Sequence, residues 1–398
     1  MPTPIAHAEI EALRSQTPGT RTTVHFNHAG ASLPSSATLH AITGHLEREA
    51  TRGPMEAGVA AAEQAGQART LAAALIHARP DEIALTGGVS FGWGAAFAAM
   101  GNWRAGDRIL VGRHEWGGNL AAMYLAAQQN GASVEVIPST ESGEVDPDGL
   151  TAMLDERVRL IALTWLPANG GLINPAEAIG RVARSHGIPY FLDAAQAVGQ
   201  IPVDVARVGC DVLSTAGRKA LRGPRGTGLL YIRRDFLHRL KPAIVDRHSA
   251  PLDSHGAPRL SDDATRFESA ERSVALHCGL ANALREALAV GASNIRAQID
   301  YVATMLRERL ADVPSITLLD DGTERSGLVA FNAAGRDANW LQRELARQSI
   351  SIGTSGVPYT PLDMQARGLD QVARASVSYL TTEAEIDLLL DAIRTLLR

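Results

Sequence analysis

The chain has 398 residues, 45% of them hydrophobic and 20% charged, with a formal net charge of −5. That length accommodates one large core plus a smaller domain, and the composition is ordinary for a globular chain. The acidic balance and the lack of a dense Lys/Arg stripe argue against a nucleic-acid partner, and no stretch approaches the roughly 20 apolar residues of a membrane helix.

The first 21 residues hold no basic segment leading into an apolar run, so no signal peptide is expected. Cys210 and Cys278 have no metal-ligand spacing and read as reduced, packed thiols of a cytoplasmic protein. No Cys/His cluster gathers the 12 histidines, so no metal is expected.

Runs rich in Val, Ile and Leu occur at 82–86, 108–112, 134–137, 159–164, 190–192, 212–214 and 228–232, separated by helix-length stretches. Apolar runs of strand length predict an α/β fold with a mostly parallel seven-stranded sheet buried on both faces. Such sheets collect ligands at the carboxyl ends of their strands. Beyond about residue 290 the pattern changes. Ile295, Ile299, Val302, Leu306 and Leu310 mark one face of an amphipathic helix. Short strands follow at 316–319 and 328–331, then a helix at 337–348 and a Gly/Ser/Pro-rich loop at 353–361. A strand at 374–378 and a helix from about 383 close the chain. The expected organisation is a large domain at 24–289, with 1–23 and 290–398 forming a smaller α+β domain.

Three features fall at the carboxyl ends of expected strands. Asp193, in DAAQ at 193–196, follows the run at 190–192 and by itself reads as a helix cap. Lys219 ends STAGRK at 214–219, and the Gly-rich stretch after it sets it apart from a solvated surface lysine. Gly87, Gly88, Val89 and Ser90 stand between a strand and a helix. There, glycines let the backbone approach a ligand and the helix N-terminus favours an anion. Together the three supply what pyridoxal-phosphate (PLP) chemistry needs. A lysine amine condenses with the aldehyde, a carboxylate keeps the pyridinium protonated, and a nest of N–H groups holds the phosphate. A dinucleotide site fits poorly, because GGVSFGWG at 87–94 lacks that fingerprint's glycine spacing.

The sequence resembles the class V aminotransferases, cysteine-desulfurase-like enzymes of PLP fold type I, over nearly its whole length. The resemblance is carried by FLDAAQAVGQIPVDV at 191–205, GRKALRGPRGTG at 217–228 and FNHAGASLP at 26–34. It implies that Lys219 is the Schiff-base lysine, that Asp193 pairs with the pyridine nitrogen, and that Gln196 reaches the phenolic oxygen. Trp116 takes the place of a ring stacked on PLP. Gly88, Val89 and Ser90 belong to the phosphate, with Arg218 replacing a His that commonly touches it. Asn169 is expected near the phenolic oxygen or the substrate, and Arg374 on its α-carboxylate, where a planar bidentate fork is suited. Apart from the resemblance, His28 is a candidate at the substrate. Trp93, Tyr124, His248 and Tyr359 are further pocket candidates. A homodimer acting on a small amino-acid substrate is implied as well.

Two departures from the family pattern bear on the reaction. The desulfurases carry a nucleophilic cysteine in the loop before the Arg-Ala-Ser strand; here that stretch is GTSGVPYTP, with Pro358 near the expected position. Without a thiolate, no persulfide-forming nucleophile is available. The threonine that relatives place after Arg-Phe-Glu, as a ligand to the neighbouring subunit's phosphate, is also missing after Glu268. The expected reaction is therefore a carbon–sulfur β-lyase, of the branch containing the hercynylcysteine sulfoxide lyases, that splits a cysteine S-conjugate into a thiol or sulfenate, pyruvate and ammonia. The alternatives are transamination, epimerisation or oxidative decarboxylation–deamination on the same cofactor, or a non-catalytic scaffold or sensor.

Overall fold

The computed structural model describes residues 4–398. All seven apolar runs form strands of one sheet: β2 (Ile83–Thr86), β3 (Arg108–Val111), β4 (Ser133–Val136), β5 (Val158–Thr164), β6 (Tyr190–Asp193), β7 (Val212–Ala216) and β8 (Gly228–Ile232), with β1 (Val24–Phe26) preceding them elsewhere. The spatial order is β2-β8-β7-β6-β5-β3-β4. Strands β7, β6, β5, β3 and β4 pair in parallel, while β8 runs antiparallel to both β2 and β7.

Side-chain alternation explains why these strands read as unbroken apolar runs. Leu160 and Ala162 of β5 enter one core cluster, with Phe191 of β6 and Val212 of β7. Ile161 and Leu163, with Tyr190, Leu192 and Leu213, enter another. Successive residues face opposite sides of a sheet, so both faces are covered and apolar residues follow one another without alternation. At about 1.5–3 kcal/mol for each fully buried large side chain, these layers dominate the fold's stability.

The second sheet comprises β1, β9 (Ile316–Leu318), β10 (Leu328–Ala333), β11 (Ile350–Gly356) and β12 (Gln371–Ser376), in the order β1-β11-β12-β10-β9. The helix Ala292–Ala311 lies on it through Ile295, Ile299, Val302, Leu306 and Leu310, the stripe read from the sequence. The helix Glu383–Leu396 and Ile5 and Ile10 of the N-terminal segment join the same core. Strand β1 and Phe26 belong to this sheet and its core, on the far side of the boundary expected at residue 24.

The loop expected at 353–361 is half strand. Residues 350–356 form β11, because Gly353, Thr354, Ser355 and Gly356 pair with Arg374, Ala373, Val372 and Gln371 of β12. Ala373 and Ala375 face the helical core of the small sheet. Alternation therefore turns Arg374 to the opposite face. Among the described residues no helix is long and apolar enough to cross a membrane.

Candidate active site

The parallel ladder sets Thr164 and Asp193, the last residues of β5 and β6, in register with Ser214 of β7. Lys219 follows three residues after β7, in a turn closed by the Arg222 N–H donating to the Lys219 carbonyl at 2.8 Å. The chain enters β8 at Gly228, where an added Cβ would lie 2.8 Å from the Gly88 backbone. Only glycine allows that approach. It seats the 87–90 turn against β8, and the Ser214 hydroxyl fastens it by donating to the Val89 carbonyl at 2.8 Å.

A cavity of about 260 Å3 opens at these strand ends, lined by Lys219, Gln196, Trp116, Arg218, Arg374 and Tyr359 among others. Lys219 is only 7% exposed. Burial, reinforced by the charges of Arg218 and Arg374 and opposed by Asp193, brings its amine down to about 7. A substantial neutral fraction at physiological pH is what a nucleophilic amine requires. The chain has just two lysines, and the other, Lys241, is exposed.

Asp193 is buried. Its Oδ1 accepts the Ala195 N–H at 2.9 Å and its Oδ2 accepts from Asn119 Nδ2 at 3.0 Å. Burial pushes its carboxyl up, against the Ala195 N–H, the Lys219 charge and the Asn119 amide. Gln196 donates from Nε2 to the Ala29 carbonyl at 3.0 Å. Trp116 is held through its backbone N–H, which donates to Thr164 Oγ1 at 3.0 Å. Its indole lies 5.6 Å from the Tyr359 ring, at 44°.

Arg374 is 7% exposed, and no carboxylate pairs with it among the described residues. Its Nη1 donates to the Ala168 carbonyl, while Nε is buried without a partner. Burial lowers it to about 10, so it remains a cation at neutral pH. An unpaired, desolvated guanidinium awaits an anion. Arg218 donates to the Gly30 carbonyl and is likewise lowered by burial.

Gly88, Val89 and Ser90 lie at the start of the 12-residue helix Val89–Met100, whose N-terminus has no side-chain cap. Its free N–H groups and dipole make an anion seat. Ser90 stands next to the Trp116 edge: a Cβ on Gly118 would be 2.7 Å from Trp116 Nε1 and 3.8 Å from Ser90 Oγ. These donors, the Lys219 amine, the Asp193 carboxylate and the orphaned Arg374 Nε fit PLP and an amino-acid carboxylate.

Several expected residues are placed elsewhere. Asn169 turns away from the cavity and donates to Asp363 Oδ2 at 2.6 Å; Ala168 takes its place in the wall. The buried Asp363 carboxylate recruits it, together with Arg113 at 2.8 Å and His114 at 3.2 Å. His28 is buried against Ser32 Oγ at 3.1 Å and edge-on to His25, outside the cavity. Burial holds it well below its ordinary range, so it is neutral. Trp93 stacks on Phe97 in the core, Tyr124 is an exposed side chain, and His248 lies 3.5 Å from Glu268. Of the four extra candidates, Tyr359 alone reaches the cavity.

Sequence reasoning missed Asn27, Gln342 and Thr354 in the wall, and Asn119 against Asp193. Asn119 was open to discovery, because it follows Glu115 at a helical spacing of four in the segment that carries Trp116.

The chain matches the aminotransferase class-V family over residues 24–389. It is 32% identical over 298 residues to a cysteine desulfurase of Pectobacterium atrosepticum, covering 74% of this chain and 72% of the relative. A probable cysteine desulfurase of Xylella fastidiosa is 28% identical, across 93% of this chain and 90% of that one. Among solved structures, the cystine C–S lyase C-DES in complex with its product cysteine persulfide superposes with a TM-score of 0.86 at 26% identity, covering 95% of this chain and 99% of that one. A C-DES variant with glycine covalently linked to the PLP cofactor gives a TM-score of 0.87, again at 26% identity, covering 96% of this chain and 98% of that one. With strand ends, lysine, carboxylate and sequence in agreement, the chain belongs to the aminotransferase class-V family, as a fold-type I, PLP-dependent enzyme.

Proposed function

We propose that this enzyme is a carbon–sulfur β-lyase acting on a cysteine S-conjugate. The overall reaction takes the conjugate and water to a thiol, pyruvate and ammonium. Bound PLP supplies the electron sink. Lys219 anchors the cofactor and moves the α-proton, Asp193 holds the pyridine-nitrogen proton, Gln196 faces the phenolic oxygen, and Arg374 grips the α-carboxylate. Val89 and Ser90 hold the phosphate, with Arg218 beside the cavity as a further cation.

The observation that carries the reading is the wall where a desulfurase thiol would have to stand. The segment after β11 holds Pro358 and Tyr359 and no cysteine. It packs closely on Gly117: the Gly117 N–H donates to the Tyr359 carbonyl at 2.8 Å, and a Cβ at Gly117 would lie 2.2 Å from Pro358 O. Both cysteines are fully buried, neither lines the cavity, and burial pushes both thiols up. Inert thiols cannot take a sulfur atom from the substrate. The relatives named as cysteine desulfurases and as a cystine C–S lyase support cleavage at a cysteine Cβ–S bond. A soluble homodimer in the cytoplasm is the working state we infer for it.

The test is a product assay. With cysteine S-conjugates, pyruvate and the released sulfur compound are expected in equal amounts. Cys210→Ser and Cys278→Ser should each keep turnover within about twofold, as buried thiols without chemistry do. Loss of turnover in either variant would move the assignment to a desulfurase with a relocated nucleophile. Accumulation of an intact amino acid of inverted configuration, without pyruvate, would make the enzyme an epimerase.

A further inference from the structure

Beside Asp193 lies a second carboxyl group, Glu115, which is fully buried. One amide nitrogen bridges the two acids: Asn119 Nδ2 donates to Glu115 Oε1 at 2.8 Å and to Asp193 Oδ2 at 3.0 Å. Glu115 Oε2 has no hydrogen-bond partner among the described residues. Among the described residues no lysine, arginine or histidine pairs with Glu115. The groups facing it are Asp193 and Tyr190 from β6, Thr164 from β5, and Trp116 and Asn119 from its own segment.

Two buried carboxylates sharing one donor do not both ionise. The partners decide which keeps the proton. Asp193 has the Ala195 N–H, the Asn119 amide and the Lys219 charge in its favour. Glu115 shares the amide and has the Thr164 hydroxyl and the Trp116 N–H in its favour, but no cation, and it faces the negative charge of Asp193. Burial first, then that charge, holds the Glu115 carboxyl up at about 8.

We propose that Glu115 is a positioning residue that stays a neutral acid, so that the single negative charge of the Glu115–Asn119–Asp193 cluster rests on Asp193, opposite the pyridine nitrogen. The proposal rests on the PLP reading of the site. Neutral Glu115 fixes Asn119 through an acceptor oxygen without adding a charge. Asn119 in turn holds Asp193 Oδ2 in place and leaves its ionisation to the cofactor.

Glu115→Gln is the discriminating variant, since glutamine keeps an acceptor oxygen for Asn119 but cannot ionise. Below about pH 7 its turnover should stay within about twofold of wild type. In the wild-type apoprotein the protonated-carboxyl infrared band should fade as pH rises through about 8, a change the variant should lack. Infrared difference spectra of the two apoproteins at pH 7 should contain a protonated-carboxyl band from wild type alone. A drop of about tenfold or more in the folded, PLP-bound Gln variant would mean the carboxylate form is needed, and would overturn the proposal. So would the absence of the infrared band from wild type. That band is read without cofactor, so it separates this proposal from the PLP reading, which fails only if the protein stays colourless with added PLP.

Discussion

Lys219→Ala is expected to abolish turnover, by about four orders of magnitude, the upper end of what a positioned proton-transfer group contributes. It should also remove the visible absorption band of the PLP-loaded protein. Both effects are expected from the proposed double role of one amine, as covalent anchor and as base. The exposed Lys241 is the chain's only other lysine. A second measurement isolates the amine from the chemistry. In the folded apoprotein its pKa is about 7, against 10.5 when free. Between those values the unfolded chain binds the extra proton, so stability rises with pH across that window. The penalty on the folded state is complete below pH 7 and gone above 10.5. Burying a methionine in its place removes a cost of several kcal/mol. Apo Lys219→Met should therefore melt above apo wild type at pH 6, and the gap should close as pH rises towards 10.5. Equal melting temperatures at pH 6, with turnover retained in the Ala variant, would show that Lys219 is not the buried cofactor lysine.

The large sheet was legible because it is buried on both faces, so strands such as 159–164 needed no alternation to be recognised. Its strand order was not legible, since the antiparallel insertion of β8 between β2 and β7 is a choice among distant partners. Strand β11 was read as a loop for a related reason. Gly353 and Gly356 have poor strand propensity, and pairing with β12 overrides it. Strand β1 pairs with residues some 326 positions later, beyond any local signal.

The candidate site divides in the same way. Lys219, Asp193, Gln196, Trp116 and Arg374 sit at strand ends or on a strand whose direction was readable, and they converge near one cavity. Asn169 comes from the family resemblance and His28 from residue type, but where each points is set by Asp363 and by Ser32, which no motif announces. Glu115 was visible in the sequence as part of the segment carrying Trp116. Its significance came only with the Asn119 amide that ties it to Asp193.

Arg374→Ala is expected to raise KM for any α-amino-acid substrate by the equivalent of about 2–5 kcal/mol, while the cofactor spectrum stays unchanged. The size follows from the environment. Arg374 is 7% exposed, and among the described residues it has no acidic partner and its Nε has no hydrogen bond. A guanidinium that pays for desolvation with no internal carboxylate gains its partner only when substrate arrives. Alternation on β12 places it opposite the small sheet's core, and pairing with Gly353 leaves space beside it: a Cβ there would lie 2.9 Å from Arg374 Nη2. Arg374→Lys should recover only part of the loss, because an ammonium cannot make the two parallel bonds of the fork. If the alanine variant changes KM by only a few tenths of a kcal/mol, the value of an exposed ion pair, Arg374 does not meet the carboxylate. If KM holds and the cofactor band shifts instead, Arg374 acts on PLP rather than on substrate.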